Sequence, residues 1–193
     1  MRRFIKVVLA FLLAGTTLSA AEFALDKSHS HVGFSIKHMM ITTVKGEFTE
    51  FMGELDFDPK TMTVVKFEGT VFPQSINTGI EKRDDHLRSP DFFDVEKYDE
   101  ISFVMTGYRK VSKGAGEMTG KLTIHGMTKE VVLNVEIGGV VKDPWGKTRL
   151  GMSLNGEINR KDFGLTWNKA LEAGGVLVGD EVKMLVELET IAQ

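Results

Sequence analysis

The densest group of ionisable side chains is Arg83-Asp84-Asp85-His86, followed by Arg88 and Asp91. Carboxylates beside a histidine are the residue types of general acid–base catalysis, so Asp84, Asp85, His86 and Asp91 form a candidate enzymatic centre for a lipid or sugar. Neighbouring helical residues point about 100° apart, however, so Asp84 and Asp85 are not a facing pair. A network that pins a helix to the rim of a larger body is the simpler use of the same residues. His29, His31 and His38 raise metal binding: His29 and His31 share a strand face, but His38 has the opposite parity and no carboxylate stands at a suitable spacing. The sequence lacks a nucleophile elbow, a phosphate-binding glycine loop, a dinucleotide fingerprint and a zinc-protease motif. There is no cysteine, hence no disulfide and no thiolate ligand or nucleophile. No metal and no cofactor is expected.

The elements that must position any site begin after a leader. Arg2, Arg3 and Lys6 precede the short apolar run Val7–Ala14, and Ser19-Ala20-Ala21 supplies small residues for cleavage before Glu22. Residues 1–21 read as a secretory signal peptide, which places the mature chain in the periplasm as an exported, soluble protein without stable membrane insertion. Residues 22–193 suit one domain. The formal net charge of −3 becomes more negative when the leader's cations go, which argues against nucleic acid as a partner. The 13 Phe and 10 Met suit a core filling irregular space or a cavity adapting to an apolar guest.

Period-two alternation dominates. Val32-Phe34-Ile36, Val65-Phe67-Gly69-Val71, Ile101-Phe103-Met105, Met118-Gly120-Leu122-Ile124, Leu133-Val135-Ile137, Leu150-Met152-Leu154-Gly156-Ile158 and Val182-Met184-Val186-Leu188 each mark one face of a half-buried antiparallel strand. Within Val44–Phe57 the phase slips between Phe48 and Phe51, which predicts a β-bulge near Thr49–Glu50. About eight strands joined by short turns predict an all-β fold, an antiparallel barrel with room for one small ligand, with a two-sheet sandwich as the alternative. Glycines scattered through the strands read as aids to bending. Two insertions interrupt the meander. In residues 78–94, Thr78 and Glu81 have capping-box spacing before a helix through Leu87, and Ser89-Pro90 opens a turn carrying Phe92 and Phe93. Arg160–Gly175 carries Phe163, Leu165, Trp167 and Leu171. Both insertions are expected to cover a barrel end.

The chain resembles the YceI-like family of exported lipid-binding proteins. The resemblance spans about Phe23 to Glu189. It opens on Asp26, His29-Ser30, Val32, Phe34, His38, Gly46 and Phe48. Its most specific block is Arg83-Asp84-Asp85-His86-Leu87-Arg88-Ser89-Pro90-Asp91-Phe92-Phe93. Leu122-Thr123-Ile124-His125-Gly126-Met127-Thr128-Lys129, Arg160–Trp167 and Gly175–Val182 complete it, with Asp99 a departure where the family often has proline. The resemblance implies a lipocalin-like β-barrel with a helical insertion. It also implies a ligand class: a polyisoprenoid, an isoprenoid quinone, or a long-chain fatty acid or amide.

Together these readings predict a carrier that encloses one long-chain isoprenoid or acyl lipid. The expected lining is Phe34, Ile36, Phe48, Phe51, Phe67, Val71, Phe103, Met105, Leu122, Met152, Leu154 and Met184. Leu87, Phe92, Phe93, Phe163 and Trp167 are expected to close the ends, and Arg83, His86 and Arg88 are candidate contacts for a polar head. The competing expectations are the enzyme built on the Asp84–Asp91 cluster and a structural module with a filled core. A homodimer is compatible with the sequence.

Overall fold

The computed structural model describes residues 20–172 and 174–193. The expected leader lies outside them except for Ala20 and Ala21, and Ala21 already pairs with Phe57. The strands are β1 (Ala21–Leu25), β2 (His31–His38), β3 (Thr42–Phe48), β4 (Phe51–Asp58), β5 (Thr63–Val71), β6 (Ile76–Asn77), β7 (Ile101–Ser112), β8 (Ala115–Ile124), β9 (Met127–Lys142), β10 (Thr148–Asn159) and β11 (Val178–Ala192). All ladders between them are antiparallel, as the alternation requires.

The sheet closes on itself. β1 and β2 both run along β11, β1 at its end (Phe23 opposite Ala192) and β2 at its start (Ile36 opposite Val182). β4 then pairs with β1, and β3 with β2. β1 and β2 thus form one bent barrel strand, β3 and β4 the next, and the closed barrel has eight strands. The ladders run right round the barrel, and on the side away from β2 the strand β3 is paired only with the short β6, at Glu47 and Phe48.

Two details of register differ from expectation. At Thr49–Glu50 the strand breaks into a corner instead of a one-residue bulge. Thr49 and Glu50 donate their N–H groups to the Ser75 carbonyl and hydroxyl at 3.3 and 2.9 Å, outside the β-ladder. The consequence is the expected one, with Phe48 and Phe51 both buried. The bulge lies instead in β5: Phe57 faces Val64 while Asp56 faces Lys66, leaving Val65 unpaired. Val65, expected to face inward with Phe67, is therefore 42% exposed, and Val64 takes its place in the core at 2%.

The helix α1 (Glu81–Arg88) forms as predicted, with His86 and Arg88 in its last turn beside the carbonyl end of the helix dipole. Thr78 is not its cap. The helix starts at Glu81, so Ile80 takes the cap position without a side-chain acceptor, and Thr78 lies outside. Its hydroxyl and N–H donate to the Asp84 carboxylate instead.

The chain path puts both insertions, residues 72–100 and 160–177, at the same end of the barrel as the β2–β3 and β8–β9 hairpins. Among the described residues the opposite end carries the turns after β4, β7 and β9 and both ends of the described chain, and its interior is packed. Phe57, Met118 and Leu150 are fully buried there, with Val64 and Val135 almost so.

A candidate ligand cavity under a two-part cover

The half of the barrel beneath the insertions is hollow. Its cavity of about 360 Å³ falls in the range of small-molecule sites. The wall has a physical cause. Gly46 faces Phe34 directly across β2–β3, and a Cβ on Gly46 would collide with the Phe34 ring. Gly120 likewise receives the Phe103 ring, and Gly156 receives Leu133 and Met184. Each large side chain lies back across a glycine on the neighbouring strand, so its bulk lines the wall instead of filling the centre.

The cover comes from both insertions. His86 of α1, Phe92 of the following turn and Trp167 of the second insertion meet as an aromatic trio, with centroids 5.1 Å (His86–Phe92), 4.7 Å (His86–Trp167) and 5.3 Å (Phe92–Trp167) apart. His86 is oriented by Asp91, 2.9 Å from its Nε2. Phe93 packs edge-on against Phe48 at 6.0 Å. Below Trp167, the buried Arg160 donates Nε to Gly179 O at 2.8 Å and Nη1 to the carbonyls of Leu165 and Trp167. That guanidinium ties the second insertion to the start of β11. Its burial lowers its proton affinity, and nearby Asp180 opposes the shift.

Of the residues expected in the wall, Phe34, Ile36, Phe48, Phe51, Phe67, Val71, Phe103, Leu122, Leu154 and Met184 line the cavity, as do Leu87, Phe92, Phe93 and Trp167 in the cover. Met105, Met152 and Phe163 do not. Met152 lies in the buried core, Met105 is only partly buried against that core, and Phe163 is buried in it from the short 3-10 turn after β10. The expectation missed Phe23, Leu25 and Leu55 at the cavity floor, Leu165 and Leu177 in the second insertion, and several wall positions including Val182 and Leu188. Val182 and Leu188 carry the same parity as Met184, so the alternation already contained them. Leu177 lies in irregular chain that has no period to read.

Arg83 and His86 line the cavity, but Arg88 does not. Arg88 turns to the outside of the cover, donating to Gln74 O, Ile76 O and Asp85 at 2.8, 2.9 and 3.0 Å. Arg83 donates Nε to the Thr78 hydroxyl and Nη2 to its carbonyl. Asp84 is buried on Thr78, while Asp85 is exposed against Arg88. The two carboxylates diverge, and the cluster fastens α1 to the rim.

The three histidines part company. His29 lies in a 3-10 turn on Asp26, His31 pairs with Glu47 at 3.0 Å, and His38 lines the cavity. Asp26, His29 and Glu189 do converge, but Arg149 occupies their midst, with Nη1 at 2.7 Å from Asp26 and 2.6 Å from Glu189, and Nε at 2.8 Å from Asp143. The cation of that cluster is the guanidinium. Hydrogen bonds from Ser28, His29 and Arg149 hold the Asp26 carboxyl far below the usual carboxylate range, and Arg149 also lowers Asp143.

A closed antiparallel barrel, hollow at one end beneath a helical cover, is a lipocalin-like container. The chain belongs to the YceI-like domain family, which matches residues 23–190. A UPF0312 protein of Staphylococcus aureus (strain MSSA476) is 40% identical over 168 residues, 86% of this chain and 95% of its own. The crystal structure of the Campylobacter jejuni YceI protein, 41% identical, aligns with a TM-score of 0.73 over 88% of this chain and 96% of that one. A polyisoprenoid binding domain from Saccharophagus degradans, 15% identical, shares the fold with a TM-score of 0.63 over 90% and 99% of the two chains.

Proposed function

We propose that the protein sequesters or carries one long-chain apolar lipid, a polyisoprenoid, an isoprenoid quinone or a fatty acid or amide, inside its barrel in the periplasm. The observation that carries this reading is the apolar cavity itself, lined by Phe, Leu, Ile, Val and Met from almost every strand. Each methylene moved from water into such a wall contributes about 0.8 kcal/mol, so a tail of about a dozen carbons supplies roughly 10 kcal/mol before the cost of ordering it. The leader-like start of the chain supports export, and the solved polyisoprenoid binding domain of the same fold supports the ligand class. Two of the polar groups on the cavity wall are already engaged, Arg83 by Thr78 and His86 by Asp91. Selectivity therefore rests on the tail.

The experiment is mass spectrometry of organic extracts of the purified protein, followed by competition among lipids that share a tail and differ in head group. A stoichiometric long-chain lipid, with affinities across heads within about a hundredfold, is the expected result. An empty protein that binds no fluorescent long-chain lipid overturns the reading, and a larger spread moves it to a head-specific site.

A further inference from the structure

The β2–β3 hairpin ends in Met39-Met40-Ile41, which are 40%, 62% and 77% exposed. Three consecutive apolar side chains in water at a loop tip need a reason, because tight hairpin turns usually carry polar residues and glycine. The backbone sharpens the point. Met39 and Met40 both adopt left-handed conformations, with φ of 51° and 63°. Asn or Gly takes that conformation at lower cost, so the tip keeps its methionines against the local preference.

The tip is continuous with the cavity. Ile36, His38 and Val44 of the same hairpin line the cavity wall, and the Met39 N–H donates to Leu177 O of the second insertion at 2.8 Å. Lys37 and Lys45, both exposed, stand on the two strands behind the tip. Lys37 is two strand residues from Met39, about 7 Å. That spacing matches an apolar tip lodged about 5–10 Å into a bilayer's headgroup boundary with the Lys37 ammonium level with lipid phosphates, while Lys45, opposite Ser35, stands further back, about 13 Å behind Ile41.

We infer that the Met39-Met40-Ile41 tip is a docking element for a phospholipid bilayer. It rests reversibly in the interface and brings the cavity mouth against the membrane, so that a tail passes between bilayer and barrel without crossing water. The inference builds on the lipid-carrier reading and adds the surface through which cargo moves. No described helix is long and apolar enough to cross a membrane, and the docking needs none.

The test uses Met40→Asn with Ile41→Ser. Asn accepts the left-handed backbone, so the hairpin is kept while its apolar surface is lost. Trp145→Ser removes an 80% exposed side chain from the opposite end as a control. Three quantities are read: co-sedimentation with phosphatidylethanolamine–phosphatidylglycerol vesicles, transfer of a fluorescent long-chain lipid between such vesicles, and equilibrium binding of that lipid delivered from ethanol. The tip variant is expected to lose about tenfold in vesicle binding and in transfer rate. Equilibrium binding should hold for both variants, and Trp145→Ser should match wild type throughout. Lipid binding from ethanol with vesicle binding and transfer insensitive to the tip overturns the docking inference alone, as does a tip variant that instead breaks a self-associated protein into monomers. Failure of wild type to bind the lipid from ethanol overturns the carrier reading itself.

Discussion

The two halves of the barrel use the same strands and the same apolar residue types, yet one half is solid and the other hollow. In the solid half, Phe57, Val64, Met118 and Leu150 are all buried within one core cluster. In the hollow half, Phe34 and Phe103 are as large as any of these, but each lies back over a glycine on the adjacent strand. Glycines beside rings keep bulk out of the centre on the hollow side, but Tyr108 also lies over Gly116 near the β7–β8 turn, so the pairing makes a cavity only where no other side chain fills the space. The solid half then bears the stability that the hollow half gives up.

That division is broken most directly by truncating one ring in each half. Phe57→Ala leaves a void among fully buried neighbours and should cost about 3–5 kcal/mol. Phe34→Ala only enlarges a space that already exists, and the half-buried ring forfeits transfer energy alone, about 1–2 kcal/mol. Urea melts of the two variants check the difference. Equal costs would mean that both halves are packed alike in solution and that the cavity is not a standing feature.

The glycine explanation is sharpened by Gly46→Ala. A Cβ there meets the far end of the Phe34 ring and the Thr78 methyl, all side-chain atoms with somewhere to go. The ring swings into the cavity, where space is free, so stability should change by about 1 kcal/mol or less, below the usual overpacking penalty. Binding of a fluorescent long-chain lipid should fall about tenfold, equivalent to roughly 1.4 kcal/mol. Unchanged binding would remove the glycine from the account of how the cavity is kept open.

These contrasts mark what was legible in the sequence. Alternation identifies which face a residue takes, and it identified most of the wall. It carries no depth along the barrel axis: Met152 has the right parity but is buried in the packed core, and Met105 is only partly buried against it. It also fails where neighbours are alike. Val64 and Val65 are both apolar, and only the register against Phe57 decides which one is inside. Gly46 and Gly120 read as bending aids because the ring each accommodates belongs to another strand, a pairing that no local pattern encodes. The Arg83–Asp91 cluster, by contrast, was legible as a rim, because the angle between adjacent helical residues follows from helix geometry alone.

The smallest expected effect concerns what fastens each half. The hollow end is held by the Arg83–Thr78–Asp84 network under its cover. The bend between β1 and β2, beside the solid half, is held by Arg149, which reaches Asp26, Asp143 and Glu189 at once and so joins β10 and β11 to the strand that closes the barrel. The Asp26 and Asp143 carboxyls are both depressed in the folded protein, Asp26 chiefly by Ser28 and His29 with Arg149 adding, and Asp143 chiefly by Arg149. A depressed folded value means the unfolded chain binds protons first as acid is added. The stabilisation is therefore complete above the ordinary carboxylate range, and is lost as pH falls through that range toward the lowered folded values. Partial exposure and salt screening keep it modest. Urea midpoints of wild type should decline through that window, while those of Asp26→Asn should start lower at neutral pH and decline less. A parallel decline in both proteins would mean that acid acts elsewhere, and that the closing strand is held by its β-ladder alone.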